Sequence, residues 1–168
     1  LIAVADVDDR VSEFPNEGDN AFAHPIEITP IPPADLVTSD VIAPDQAFAG
    51  SEIEVRFLVT NHGVGTTSTD QWLDTIWLAN DRRRPSPTIG AANAFLVGSS
   101  QQVGLVAVGE SYERIVRVRI PEYISSGQYF ITPFADSADL VIEDTRDTHI
   151  NEDDPNEIDN NNYKARPI

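Results

Sequence analysis

Cysteine and methionine are both missing from the 168 residues, and lysine is reduced to Lys164. Without cysteine there is no disulfide staple, no zinc–thiolate centre and no thiol nucleophile. Stability has to come from a packed core, from a bound metal or from neighbouring modules. Positive charge is scarce, with 11 Lys and Arg against 28 Asp and Glu and a formal net charge of −17. Nucleic acid and anionic membrane surfaces both need clustered cations, so neither is an expected partner. No apolar run approaches the ~20 residues of a membrane helix, so membrane insertion is not expected either. The opening LIAVADVDDR is too short and acidic for a signal peptide, so any targeting signal is expected outside this stretch. No segment keeps a helical period. Nor is there a nucleophile-elbow sequence or a phosphate-cradling glycine loop, and no catalytic residue is assigned.

What the sequence does contain is strand after strand. In SEIEVRFLVTN, Ile53, Val55, Phe57 and Val59 share one face, opposite Glu52, Glu54 and Arg56. Val116, Val118 and Ile120 alternate in the same way with Arg117 and Arg119, and QWLDTIWLAN places Trp72, Ile76 and Leu78 together. GQYFITPFAD is rich in aromatic and β-branched residues, and its Pro133 suggests an edge or a bulge. Weaker strands are read in ADLVTSDVIA, NAFLVG, ADLVIED and NNYKARPI. Turn signals fall between these runs, and many short strands with regular punctuation argue for a sandwich. Val55, Phe57, Val59, Trp72, Ile76, Leu78, Val116, Val118, Ile120, Tyr129 and Ile131 are the expected core.

An internal echo sets the organisation. ADVDDRVSE at 5–13 returns as ADSADLVIE at 135–143, NEGDN at 16–20 as NEIDN at 156–160, and Pro25-Ile26 as Pro167-Ile168. Residues 1–26 therefore read as the tail of a preceding repeat, or as strands donated to a neighbouring copy. Residues 27–34 read as a proline-stiffened linker and 35–168 as one complete repeat.

With those motifs in place, the chain resembles a known family, the CARDB domain, a bacterial and archaeal repeat related to cell-adhesion modules. The resemblance is carried by ADLVTSDVIAP, FLVTNHGVGTTS, WLDTIWLAND, VGLVAVGESYERIVRVRIP, GQYFITPFAD and NEIDNNN, in that order. It implies an all-β, immunoglobulin-like, seven-stranded antiparallel sandwich, often in tandem within large exported proteins and without known catalytic residues. Two departures stand out: the turn after WLAND reads RRRPSP, and the acidic loop at 144–155 is long.

The acidic loops are the first candidate site. Asp136, Asp139, Glu143, Asp144, Asp153, Asp154, Glu157 and Asp159 could supply the hard oxygens that calcium takes from a flexible loop. Asp147 and Glu152 lie in the same run, and Asp6, Asp8, Asp9, Glu13, Glu17 and Asp19 form its early counterpart. The plainer reading is a solvated acidic surface. His24, His62 and His149 are scattered in sequence, with His149 among carboxylates. Trp77, out of step with Trp72, is a candidate for interface or loop packing, or for an exposed binding platform. Arg82, Arg83 and Arg84 form either a solvated turn or a dock for the acidic loop of a neighbouring copy.

The sequence thus points to a non-catalytic structural or adhesive module, extracellular or on the cell surface. Neighbouring copies are its expected partners, with head-to-tail filaments, calcium and a surface glycan or protein ligand as further expectations. The alternative is an accessory carbohydrate-binding module of an exported hydrolase, with Trp77 and Tyr112 as its aromatic platform.

Overall fold

Val55, Phe57 and Val59 alternate with Glu54, Arg56 and Leu58, and a strand of that period has one apolar face to bury. The computed structural model describes residues 1–12, 15, 18–85, 94–144, 149–157 and 159–168. Among them there is no helix long and apolar enough to cross a membrane. The chain divides into two compact units, Leu1–Ile31 and Pro32–Ile168.

The first unit is a hairpin of β1 (Ile2–Val4) and β2 (Ala21–Ala23), paired antiparallel. The second unit holds β3 (Leu36–Ile42), β4 (Glu52–Asn61), β5 (Gln71–Ala79), β6 (Ala94–Val103), β7 (Ser111–Arg119), β8 (Phe130–Phe134) and β9 (Arg166–Pro167). They form two sheets ordered β3-β4-β7 and β6-β5-β8-β9, antiparallel throughout. Among its described residues the second unit is thus a seven-stranded antiparallel sandwich: alternation implies the layers, and the family resemblance implies the strand number. Its fourth strand, β6, lies beside the third, whereas the constant-type immunoglobulin arrangement puts the fourth strand in the other sheet.

Leu36, Val55, Phe57 and Val59 from one sheet share a buried cluster with Trp72, Ile76, Leu78 and Ile131 from the other. Val118 and Ile120 are buried with them, while Val116 and Tyr129 are half-buried against the cluster. Each fully buried side chain of this kind contributes roughly 1.5–3 kcal/mol. β5 is buried on both faces from Asp74 to Ala79, because a second cluster of Trp77, Phe134 and Tyr163 covers it.

Buried Asn61, at the end of β4, holds the entry of the chain into this unit. Its Oδ1 accepts from the backbone N–H of Asp35 (3.1 Å) and Gly63 (3.0 Å), and its Nδ2 donates to the carbonyls of Gly65 and Val106. The turn after it runs so close to Pro32 that a Cβ on Gly65 would lie 2.0 Å from the Pro32 carbonyl oxygen. Only glycine permits that approach.

Two local readings of the sequence need correction. ADLVIED does not form a strand: within it only Glu143 pairs, in an isolated bridge with Ala34. Asp136 and Asp139 take positive φ (44° and 56°), and the Asp136 carboxylate takes up the Val141 N–H that a ladder would use. Pro133, read as an edge or a bulge, sits in the regular part of β8 in register with Ile76. Its carbonyl accepts from Lys164 N–H (3.3 Å), so its missing N–H also faces the β9 side. There β9 covers only Arg166–Pro167, and the ladder loses little.

Candidate functional site

The turn after β8 is built by Asp136, which is 2% exposed. Its Oδ2 accepts the Val141 N–H at 2.7 Å, and its own N–H donates to Asp74 Oδ1 at 3.2 Å. Burial raises the pKa of its carboxyl, Leu140 and Val141 N–H groups oppose that, and the Asp139 charge adds to it. Against this turn lie Asn161 and Asn162, both 3% exposed. Asn161 Nδ2 donates to Asp35 Oδ1 (2.7 Å), and Asn162 Nδ2 donates to Glu143 Oε1 (2.8 Å). Glu143 Oε2 accepts the Leu36 N–H at 2.7 Å, which ties the turn to the first residue of β3. Burial lifts the Glu143 pKa to about 8; Asp159 and Asp136 push the same way, against its hydrogen bonds from Leu36 and Asn162. Asp159 is also raised, by burial first and then by the Asp139, Asp136 and Asp35 charges, while Arg84 opposes them.

Three buried oxygens in this region accept no hydrogen bond among the described residues: Asp136 Oδ1, Asn161 Oδ1 and Asn162 Oδ1. Among the described residues, however, no three His, Cys, Asp or Glu side chains make a metal-holding group by themselves.

The other half of the predicted acidic set is occupied by the basic run. Arg82 pairs with Asp153 (3.5 Å) and Arg84 with Glu157 (3.3 Å). Asp154 Oδ2 accepts from Arg84 N–H (3.0 Å) and from the Tyr163 hydroxyl (2.7 Å). The guanidinium carbons of Arg82 and Arg84 stand 5.0 and 5.2 Å from the Phe130 and Phe134 ring centres. The basic run therefore docks the acidic loop of its own chain. Arg83 is exposed, and its N–H donates to Asp81 Oδ1. Asp144 is exposed, with its N–H on the Ala34 carbonyl.

Trp77 is 8% exposed, and its Nε1 donates to Thr75 Oγ1 at 2.9 Å. Covered by Phe134 and Tyr163, it offers no surface platform. Two of the histidines scattered in sequence, His62 and His149, meet in space. His149 lies 3.3 Å from Asp35 Oδ2, and its ring centre is 4.3 Å from that of His62. Glu13, Glu17 and Asp147 lie outside the described residues.

Sequence reasoning missed a polar cluster inside the sandwich. Asp74, fully buried, accepts at Oδ1 from Trp72 Nε1 and from the Tyr112 hydroxyl, both at 3.1 Å. Arg114 Nε lies 4.0 Å from Asp74 Oδ2, and its guanidinium covers the Tyr112 ring at 4.5 Å. Tyr112 is thereby half-buried and engaged. The signal was available: Asp74 has the parity of Trp72 and Ile76, and Arg114 that of Tyr112 and Val116.

The hairpin of the first unit repeats the β8–β9 hairpin in register. Leu1 and His24 exchange backbone bonds, and Val4 faces Ala21; Ile131 faces Arg166, and Phe134 faces Tyr163. Ala5 N–H donates to Asn20 O, and Ala135 N–H to Asn162 O, each at 2.8 Å. Asp6 and Asp9 take positive φ as Asp136 and Asp139 do. Asp6 Oδ2 accepts the Val11 N–H at 2.6 Å, the counterpart of Asp136 with Val141. Spatial register pairs Asn20 with Asn162, two residues beyond the Asn160 that the NExDN echo aligns with it.

No family model matches the chain, and no curated protein matches it. Among solved structures, it is similar to the CARDB domain of the PF1109 protein from Pyrococcus furiosus, solved in complex with di-metal ions. That match has 13% identity and a TM-score of 0.49 over 84% of this chain and 92% of that one. The likeness is to a CARDB domain. The solution structure of the same CARDB domain gives 15% identity and a TM-score of 0.48, over 82% and 95% of the two chains. Part of β-glucosidase 3B from Thermotoga neapolitana, in complex with α-D-glucose, is similar over 65% of this chain and only 15% of that one. Its TM-score is 0.42 at 15% identity. At these identities the likeness to the CARDB domain is one of fold.

Proposed function

We propose that this chain is a non-catalytic structural module of a tandem array, displayed outside the cell as a spacer or adhesive segment. In this reading Leu1–Ile26 is the closing hairpin of a preceding sandwich. The observation that carries it is the shared register of the two hairpins, from the Leu1–His24 and Ile131–Arg166 pairs through the Asp6 and Asp136 turns. Burial supports it. Ile131, Phe134 and Val141 are 0%, 4% and 2% exposed, while their counterparts Leu1, Val4 and Val11 are 76%, 50% and 57% exposed. Such apolar residues on a two-stranded hairpin call for a sandwich to cover them.

The second unit already holds its own β8 and β9, so a hairpin donated from another copy finds that place filled. A covalent array therefore accounts for the first unit better than a strand-exchanged filament. The carbohydrate-binding alternative loses both aromatic candidates, since Trp77 is buried and Tyr112 is engaged with Asp74. The net charge of −17 suits a salt-exposed extracellular surface, and a stabilising calcium ion in the late acidic turn belongs to the same reading.

A hairpin exchange tests the proposal. Residues 131–141 are replaced by LIAVADVDDRV and 162–168 by NAFAHPI, leaving the rest of the chain unchanged. Equivalent hairpins give a chimera that still unfolds in one cooperative transition, at a lower midpoint. A molten chimera without near-UV circular dichroism counts against the equivalence.

A further inference from the structure

We infer that the turn between β8 and β9 is a site for a hard divalent cation of the calcium class, formed by Asp136, Asp139, Asp159, Asn161 and Asn162. This deepens the calcium element of the module reading and rests on it only in that the ion braces a structural domain.

Two observations carry it beyond a cluster of acidic residues. First, Asp136 Oδ1, Asn161 Oδ1 and Asn162 Oδ1 are buried and, among the described residues, accept no hydrogen bond. Second, none of these side chains is free to turn toward a partner. Each is fixed by its other atom: Asp136 Oδ2 by Val141 N–H, Asn161 Nδ2 by Asp35, and Asn162 Nδ2 by Glu143. The arrangement presents oxygen without compensating donors, which is what a hard cation requires. Carboxylates alone do not complete it, and the amide oxygens supply the remainder.

Glu143 has a different role from the one its charge suggests. Both of its oxygens are taken, by Leu36 N–H and Asn162 Nδ2, so it positions Asn162. Asp153, Asp154 and Glu157 are committed to Arg82, Arg84 and Tyr163 and stay outside the site. The first unit keeps the equivalents Asp6, Asp9 and Asn20, although its apolar residues differ from those of β8 and β9. Mixed carboxylate, amide and water ligation in a turn suits calcium better than magnesium, which demands near-ideal octahedral geometry.

The test is calcium titration of the chelator-treated full chain, read by calorimetry and by thermal melting, with magnesium alongside. Calcium is expected to bind and to raise the melting midpoint, with magnesium much weaker. Asp139→Asn and Asp159→Asn should each weaken calcium about tenfold or more, while Asp153→Asn leaves it unchanged. The exposed Asp139 gives a variant that folds even where Asp159→Asn does not. No calcium-dependent shift up to about 10 mM, above the range of weak extracellular modules, overturns the site. So does equal weakening by Asp139→Asn and Asp153→Asn, which would mean diffuse attraction to an acidic surface. Either result leaves the hairpin exchange, and the module reading, standing.

Discussion

The Tyr112 hydroxyl donates to Asp74 Oδ1 at 3.1 Å, joining β7 of one sheet to β5 of the other inside the sandwich. Trp72 Nε1 and Asp136 N–H converge on the same oxygen. Tyr112→Phe should therefore cost about 1.5–3 kcal/mol, the value of one bond to a charged acceptor. Asp74→Ala takes the acceptor from the Tyr112 hydroxyl and Asp136 N–H, leaves Trp72 Nε1 only its bond to the Tyr112 oxygen, and strips Arg114 of its carboxylate, so about 3–5 kcal/mol is expected. Urea denaturation of both variants measures the difference, and equal costs would contradict the convergence.

The cation-free domain should grow more stable on mild acidification. Burial pushes Asp74 up to about 6, and Glu143 up to about 8 from 4.5. Each holds its proton more tightly folded than unfolded, so its contribution is complete below the unfolded value and is lost as pH rises through the folded one. In chelator, the melting midpoint at pH 5 should exceed that at pH 8. A midpoint that falls steadily from pH 8 to pH 5 would contradict the burial of these two carboxyls.

Gly65→Ala tests the entry of the chain into the sandwich. The added Cβ meets the Pro32 carbonyl oxygen at 2.0 Å, and backbone must move. The expected loss is about 1–3 kcal/mol, the usual range for overpacking, read as an earlier denaturation midpoint. An unchanged midpoint would show that Pro32 is not held there.

Trp77→Ala should remove about 3–5 kcal/mol, as large aromatic truncations in a core do. A surface aromatic would cost far less. Chemical denaturation decides between the two.

The hairpin of the first unit should be the least protected part of the molecule. Two strands without a covering layer are marginal in water. The hairpin amides of Ala5 and His24 are expected to exchange within seconds to minutes, while those of Val55, Phe57 and Val59 persist far longer. Comparable protection in both would mean that the hairpin has found a partner.

Period-two alternation made the sandwich legible. Val55, Phe57, Val59, Trp72, Ile76 and Leu78 all fall where their parity puts them, because a half-buried strand must separate its faces. Val141 and Ile142 misled for the opposite reason: their β-branched side chains suggest a ladder, but Asp136 had already taken the amide of Val141. The candidate cation site was legible only in part. Its carboxylates are visible as charge. The amides of Asn161 and Asn162 matter because Asp35 and Glu143 orient them, and the partner of Asn161 lies 126 residues away in the chain. Asp74 was overlooked because an acid on the inward face of a strand is costly unless donors surround it, and those donors come from three separate segments.

The two ends of the sandwich are fastened by main-chain bonds. Ala34 donates to Ile142 O and accepts from Asp144 N–H, and Ile168 exchanges two bonds with Tyr129. A pull applied between residues 32 and 168 meets these clips before it reaches the apolar interior. Resistance to stretching would then be set at the two points where the polypeptide enters and leaves, and a change in the side chains between them would alter melting far more than rupture force.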